Sequence, residues 1–290
     1  MGAIANLFGY VLNFLYNWLQ NYGFAIILFT VLLKIIMLPI SIKQQKSMKK
    51  SQDLQEQIKA INFKYKNDPE KMQKETMDLY KREGVSPFSG CLSSILQLII
   101  FISVFYLVSR PLTYMKKVDV NLVNDYEKII AEQNENQRSN YPEIAVIEYV
   151  NKMDLSEGQD NLEQKKLDYE KLHLNMDFLG LDLSLVPMQN YKNIKVFIIP
   201  VLYVLITFVN IKITNNMNSN NKKKKDDDDK SSNDEESMED SINQMSKSMN
   251  YTIPIMSVAI ALIAPLGLSL YWLVSNVLQL LERFIISKQK

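Results

Sequence analysis

The chain has 290 residues, of which 47% are hydrophobic, and a formal net charge of +1. A chain this close to neutral has no global basic field, so direct sequence-specific binding to nucleic acid is not expected. The single cysteine, Cys91, excludes an internal disulfide and a cysteine-based metal cluster. The apolar residues are bunched into long runs between highly charged stretches, a distribution typical of an integral membrane protein.

The N-terminal segment 1–22 is apolar but lacks the features of a cleaved signal peptide. No Lys or Arg precedes its hydrophobic stretch, and no small-residue cleavage site follows. Its apolar residues recur at roughly helical spacing, and Tyr16, Trp18 and Tyr22 are placed to lie at headgroup level. We predict an amphipathic helix at the membrane interface, with an uncleaved signal anchor as the alternative.

Five apolar segments are predicted to cross the membrane, since about twenty apolar residues span a bilayer core. These transmembrane helices are 23–42, 88–109, 194–213, 251–264 and 267–286. The last two divide one long apolar run at Pro265 and Gly267, residues that suit a tight turn. A single long kinked helix is the alternative for that run. The predicted fold class is an all-α membrane protein of five transmembrane helices around a polar groove.

The distribution of Lys and Arg predicts the orientation of these spans. Residues 1–33 contain none, whereas the segment 43–87 contains eleven. The segment 110–193 contains ten, but over a much longer stretch and against fifteen acids. Because cytoplasmic loops are enriched in Lys and Arg, we predict an N-terminus outside the cell and a cytoplasmic C-terminus.

The three long polar segments differ in kind. Residues 43–87 read as two amphipathic helices, with Pro69 as the first residue of the second, and predict a cytoplasmic helical hairpin. Residues 110–193 form an acidic extracytoplasmic loop, in which short helices are predicted at 121–134 and 143–153. Residues 214–250 are dense in charge and poor in apolar residues, so we predict a disordered cytoplasmic linker.

Lys34 is the most informative residue of the chain because it lies inside the first span among apolar neighbours (VLLKIIML). A charge at the centre of a span costs about 2.5–3.5 kcal/mol and therefore faces protein or water. The alternative is that Lys34 snorkels to the cytoplasmic surface. Glu282 is the nearest acid within any span, but it lies close to the cytoplasmic end. We therefore expect Lys34 to lack a carboxylate partner and to receive an anion from a substrate.

Further polar residues lie within the predicted spans. They are Gln97, Thr207, Asn210, Ser257, Ser275, Asn276 and Gln279. Each alone is typical of a contact between helices, but together with Lys34 they predict a hydrated, cationic substrate groove. The sequence contains no phosphate-binding loop, no HExxH and no GxSxG motif, so no enzymatic activity, cofactor or metal is predicted.

Several separated motifs follow one another in a distinctive order. They are the basic residue before Leu-Pro in the first span (Lys34–Pro39), the Lys-rich hairpin, GCL…LQ (Gly90–Gln97), FLGLDLSLVP (Phe178–Pro187) and PLGLSLYWLVSN (Pro265–Asn276). Together they resemble the YidC/Oxa/Alb family of membrane protein insertases. The resemblance covers most of the chain except the outer loop and the 214–250 linker.

The resemblance implies a groove that is open to the cytoplasm and to lipid but closed to the outside. In it, Lys34 would attract the polar or acidic leader of a nascent membrane protein, and Gln97 would line the groove. The helical hairpin would receive the substrate and contact the ribosome or the Sec translocon. The implied location is the bacterial cytoplasmic membrane, as a multi-pass protein that uses no cofactor or metal.

The sequence departs from the family pattern in three places. Lys34 replaces the usual arginine, Ser93 replaces a proline after GCL, and only four residues follow Ile286, which makes ribosome binding by a tail doubtful. The short stretch before the first span resembles the form found in single-membrane bacteria.

Two other functions fit the same residues. A transporter or channel for a small anion would use Lys34 as its binding residue. A non-catalytic assembly factor would bind partners through the hairpin and would not need Lys34.

Overall fold

The computed structural model describes residues 2–84, 89–133, 139–156, 161–222, 256 and 258–288, which are mostly helical. The helices are α1 (Gly2–Leu19), α2 (Tyr22–Asp53), α3 (Gln55–Lys64), α4 (Pro69–Arg82), α5 (Ser89–Ser109), α6 (Val120–Gln133), α7 (Pro142–Asn151), α8 (Leu162–Leu172), α9 (Ile198–Lys222), α10 (258–263) and α11 (Leu266–Lys288). The remaining elements are a π-helical turn (Leu112–Lys116), a 3-10 turn (Ile194–Phe197) and an antiparallel pair of two-residue strands, β1 (Asp177–Phe178) and β2 (Leu181–Asp182).

Helices α2, α5, α9 and α11 form a bundle in which α11 packs against both α2 and α9. Large apolar side chains point outward from it, including Ile36, which is 69% exposed, and Phe208, which is 59% exposed. Such faces suit lipid rather than water. Among the described residues, two helical stretches are long and apolar enough to cross a bilayer, Tyr22–Gln44 and Ile194–Ile213, and a shorter apolar stretch covers Ile95–Ser109.

Two helices of the bundle run further than the spans predicted within them. Helix α2 continues past residue 42 to Asp53, and α9 continues through 214–222, which was predicted to be disordered. Helical hydrogen bonds are satisfied within the backbone, so a polar segment can extend a helix that has already been nucleated. The rest of the predicted linker, 223–250, lies outside the described residues.

The C-terminal apolar run folds back on itself at 264–265. Helix α10 ends at 263 and α11 begins at Leu266. The Ser269 hydroxyl donates to the carbonyl of Ala261 at 3.3 Å, although eight residues of a continuous helix span about 12 Å. The alternative of one long kinked helix is therefore wrong.

Residues 110–133, 139–156 and 161–193 fold into a cap, packed where α2 and α11 begin. Its apolar core contains Val123, Ile144, Val146, Ile147, Val150, Leu172 and Leu174. Helices α6 and α7 lie within two residues of the predicted helices 121–134 and 143–153. Helix α8 and the strands were not predicted, because α8 (LEQKKLDYEKL) has too few apolar residues to show a clear period. The acidic segment is thus folded, and its buried apolar side chains belong to the same continuous core as those of the bundle and α1.

Helices α3 and α4 form a small helical hairpin. Pro69 is the first residue of α4, as predicted, and the Asp68 side chain caps that helix by accepting from the backbone N–H of Lys71 at 3.2 Å. Leu54 and Leu79 are buried between the helices. The apolar faces of the two amphipathic helices thus pack against each other, and the charged residues remain at the surface.

Helix α1 packs on the bundle and the cap through one of its faces. Ala5, Gly9, Leu12, Leu15 and Tyr16 are buried there. A Cβ at Gly9 would lie 1.8 Å from the carbonyl oxygen of Tyr114 in the π-helical turn, so only glycine permits this approach. The opposite face exposes Leu7, Phe14 and Trp18. An exposed apolar face of this kind suits a membrane interface, where α1 remains predicted to lie.

Candidate functional site

Lys34 lies on α2 and faces α11. Its Nζ is 3.9 Å from Oε2 of Glu282, and the two side chains are 23% and 11% exposed, respectively. The expectation that Lys34 lacks a carboxylate partner is therefore wrong.

Side-chain length explains why residue counting missed this pair. Gly267 packs beside Ile26, and further along both helices Lys34 pairs with Glu282, so α2 and α11 run in the same direction. Lys34 is eight residues beyond Ile26 on α2, whereas Glu282 is fifteen residues beyond Gly267 on α11. The difference corresponds to roughly 10 Å along the helix axes. The Glu282 side chain tilts back toward the start of its helix, and the four-carbon stem of Lys34 covers the remaining distance.

A small cavity, the Lys34 cavity, lies between α2, α5 and α11. It is lined by Thr30, Leu33, Lys34, Met37, Ser41, Gln97, Ile100, Tyr271 and Ser275. Its volume is about 20 Å³, which is room for about one water molecule. The ammonium of Lys34 therefore has a polar recess around it, but the space that the described residues leave there is too small for a polypeptide.

Three of the predicted groove residues, Lys34, Gln97 and Ser275, line this cavity together. Gln279 lies on α11 between Ser275 and Glu282, on the same helix face by its spacing, and is partly buried. Ser257 lies outside the described residues.

The other three predicted residues make a separate contact between α9 and α11. The side-chain amide of Asn276 donates to Oγ1 of Thr207 at 3.2 Å. The amide of Asn210 donates to the carbonyl of Asn276 at 3.3 Å. Their observed role is to join two helices, and they do not line the Lys34 cavity.

Sequence reasoning missed Thr30, Ser41 and Tyr271, and it considered Glu282 but set it aside. Thr30 and Ser41 lie four residues before and seven after Lys34, on the same face of α2. Tyr271 precedes Ser275 by four residues and Glu282 by eleven. Reading each span at helical period from a known groove residue would have found them.

The end of the bundle beside the cap is tightly closed. The backbone N–H groups of Leu266 and Gly267 donate to the carbonyls of Leu185 and Leu183, at 3.0 and 2.9 Å. Tyr22 and Ile26 are completely buried at the same level. These contacts seal the cap end of the bundle with packed apolar side chains and backbone hydrogen bonds.

Comparison with known proteins identifies relatives of this chain. Proteins called "Membrane protein insertase YidC" are 42% identical over 105 residues in Caldanaerobacter subterraneus subsp. tengcongensis, 43% over 97 in Leptospira interrogans and 46% over 94 in Syntrophus aciditrophicus. The alignments cover 36%, 33% and 32% of this chain, but 51%, 16% and 17% of those relatives. The aligned segment is thus about half of the first relative and under a fifth of the other two.

A family model described as 60Kd inner membrane protein matches residues 14–290, nearly the whole chain. This match includes the bundle, the helical hairpin, the cap and every residue that lines the Lys34 cavity. The chain therefore belongs to the 60Kd inner membrane protein family, the YidC/Oxa/Alb family that its motifs resemble.

Proposed function

We propose that the protein is a membrane protein insertase of the bacterial cytoplasmic membrane, acting alone or with the Sec translocon. The observation that carries this proposal is a lysine in a polar recess of a helix bundle whose outer faces are apolar. Relatives named as membrane protein insertases support it. The substrates are nascent membrane proteins.

Lys34 and the lipid-facing surfaces act on different parts of the substrate during insertion. Lys34, with Gln97 and Ser275 beside it, attracts the polar or acidic leader of the incoming chain. The membrane potential adds about 2.3 kcal/mol per charge per 100 mV to the movement of an acidic leader. The apolar segment that follows leaves along exposed faces such as that of Ile36, because lipid solvates it better than the polar cavity does.

Entry of a polypeptide requires the helices around Lys34 to separate, because the cavity holds about one water molecule. The closed cap end favours opening from the opposite end, where α2 leads into the helical hairpin. With the N-terminus outside, that end faces the cytoplasm, and the hairpin is placed to meet the ribosome or the Sec translocon.

The test is insertion of a single-span substrate with an acidic leader into proteoliposomes that carry the wild type, Lys34→Ala or Lys34→Arg. We expect Lys34→Ala to reduce insertion about tenfold, the effect of losing about 1.4 kcal/mol of attraction. Lys34→Arg restores it because it retains the cation. The matched control is Lys128→Ala, which removes an exposed lysine of the cap.

Each rival function predicts a different result in the same vesicles. Equal insertion by Lys34→Ala and wild type would reject the role of Lys34, and no insertion by the wild type would reject the function. An anion transporter would show anion flux that depends on Lys34 even when no polypeptide substrate is present. An assembly factor would tolerate Lys34→Ala but lose activity when α3 and α4 are deleted.

A further inference from the structure

The ion pair between Lys34 and Glu282 is loose. Its atoms are 3.9 Å apart, whereas a charge-assisted hydrogen bond between an ammonium and a carboxylate measures about 2.7–2.9 Å. At this distance the two groups are within ion-pair range but beyond a direct hydrogen bond, and the cavity beside Lys34 has room for about one water molecule. The two groups therefore attract each other without a locked geometry.

The surroundings of Glu282 require a cation but do not require Lys34 alone. Its side chain is only 11% exposed, and a carboxylate buried to this degree is costly without a positive partner. The neighbouring Arg283 also interacts electrostatically with Glu282. One carboxylate thus lies among two cations, so Glu282 keeps a positive neighbour if Lys34 binds another anion.

We propose that Glu282 is a resident, exchangeable counter-ion, which occupies Lys34 at rest and is displaced by a carboxylate of the substrate leader. The inference rests on the proposed insertase function and deepens it by naming Glu282 as the group that the leader must displace. An Asp or Glu side chain reproduces the contact that Lys34 already makes. A leader without an acidic residue has no carboxylate to replace that of Glu282, so it leaves the ion pair between Lys34 and Glu282 intact.

The exchange also explains how a lysine persists in this position before a substrate arrives. An isolated cation inside the bundle is costly, and the resident carboxylate offsets that cost. The cluster of Lys34, Arg283 and Glu282 still carries one net positive charge, so it continues to attract acidic leaders. Glu282 therefore sets how much negative charge a leader must bring in order to bind.

The experiment measures initial insertion rate against substrate concentration, with leaders that contain no, one or two acidic residues. In Glu282→Gln the competing carboxylate is gone, so the half-saturating concentration for the one-acid leader should fall about fivefold, the effect of removing about 1 kcal/mol of competition for Lys34. The neutral leader should be unaffected. In Lys34→Gln/Glu282→Gln the preference for acidic leaders should be weaker than in Glu282→Gln, because Lys34 is gone and Arg283 is the cation of the cluster that remains. The matched control is Glu148→Gln, which removes the 2.6 Å ion pair with Lys152 in the cap.

A folded Glu282→Gln protein that saturates like the wild type with every leader would overturn the inference and leave the insertase function standing. If Glu282→Gln does not fold, Glu282→Asp takes its place. The shorter Asp side chain weakens the pair, so a smaller decrease in half-saturating concentration is expected, and an unchanged or increased value would overturn the inference. Failure of the wild type to insert any leader would instead overturn the proposed function.

Discussion

The cap and the Lys34 cavity both bury charged side chains, but they hold them in different ways. In the cap, Glu143 is 4% exposed and accepts from the hydroxyl and the backbone N–H of Thr113, at 2.5 and 3.0 Å. In the cavity, Glu282 and Lys34 remain 3.9 Å apart. Short, multiple hydrogen bonds fix a geometry, whereas a longer ion pair can exchange its partner.

The same contrast applies to the cations of the two regions. Lys116 of the cap donates to the carbonyls of Glu170 and His173, at 3.1 and 2.8 Å, and so closes the end of α8. Lys34 faces a polar cavity instead. Under the proposed function, we therefore expect the cap to serve as a rigid closure and the changes that admit a substrate to occur around Lys34. Substitutions at three positions can break or sharpen this contrast.

The largest effect is expected from Gly9→Ala. The new Cβ would lie 1.8 Å from the carbonyl oxygen of Tyr114, so α1 must separate from the π-helical turn. Overpacking destabilises by about 1–3 kcal/mol and occasionally more, and we expect at least the upper value here because the clash is with a backbone atom that cannot rotate away. We expect a lower Tm in detergent and easier proteolysis between α1 and α2. The control is Gly2→Ala on the same helix, where a Cβ would meet nothing within 4 Å. Equal Tm values for the two variants would contradict a rigid closure.

A medium effect is expected at Glu143. Glu143→Ala leaves the Thr113 groups without their acceptor and should cost about 1–3 kcal/mol. Glu143→Gln keeps an oxygen for the N–H of Thr113 and offers an N–H to its hydroxyl. We therefore expect the Gln variant to have a Tm at least equal to that of the wild type at pH 7.5, and the Ala variant to have a lower one.

The charge of Glu143 adds a dependence on pH. Burial raises the pKa of this carboxyl above its ordinary value of 4.5, partly opposed by the hydrogen bonds from Thr113. Between the ordinary and the raised pKa, the folded protein binds more protons than the unfolded chain. Its stability should therefore decrease as pH rises from 4.5 through that range. Tm measured against pH should show this decrease in the wild type relative to Glu143→Gln; parallel curves would contradict a raised pKa.

Much of the cavity could be predicted from sequence because its residues follow a helical period. Lys34, Gln97 and Ser275 stand out as polar residues within apolar runs, and the structure brings them together. The ion pair with Glu282 could not be predicted, since it depends on how two helices align in depth and on how far their side chains reach. Residue counting placed Glu282 at the end of its span and thus out of contact.

The cap was harder to predict for a different reason. Helices α6 and α7 have enough apolar residues to show a period, but α8 is mainly charged and is held by tertiary contacts such as those of Lys116. The close approach of α1 to the π-helical turn depends on Gly9, and one glycine within an apolar helix shows no pattern. Contacts between segments that are far apart in the sequence therefore determine those parts of the fold that local periodicity does not predict.

The smallest effect is expected at the contact between α9 and α11, which tests whether polar residues within the bundle are as strongly held as those in the cap. Asn276→Ala removes the hydrogen bond to Thr207. Hydrogen bonds between membrane helices contribute about 0.6 kcal/mol on average, because the separated helices find other partners. We expect a Tm decrease smaller than that of Glu143→Ala, and near-additive effects when Asn276→Ala is combined with Gly9→Ala. A loss as large as that at Glu143 would show that the bundle is fixed by its polar contacts, and the contrast with the cap would then fail.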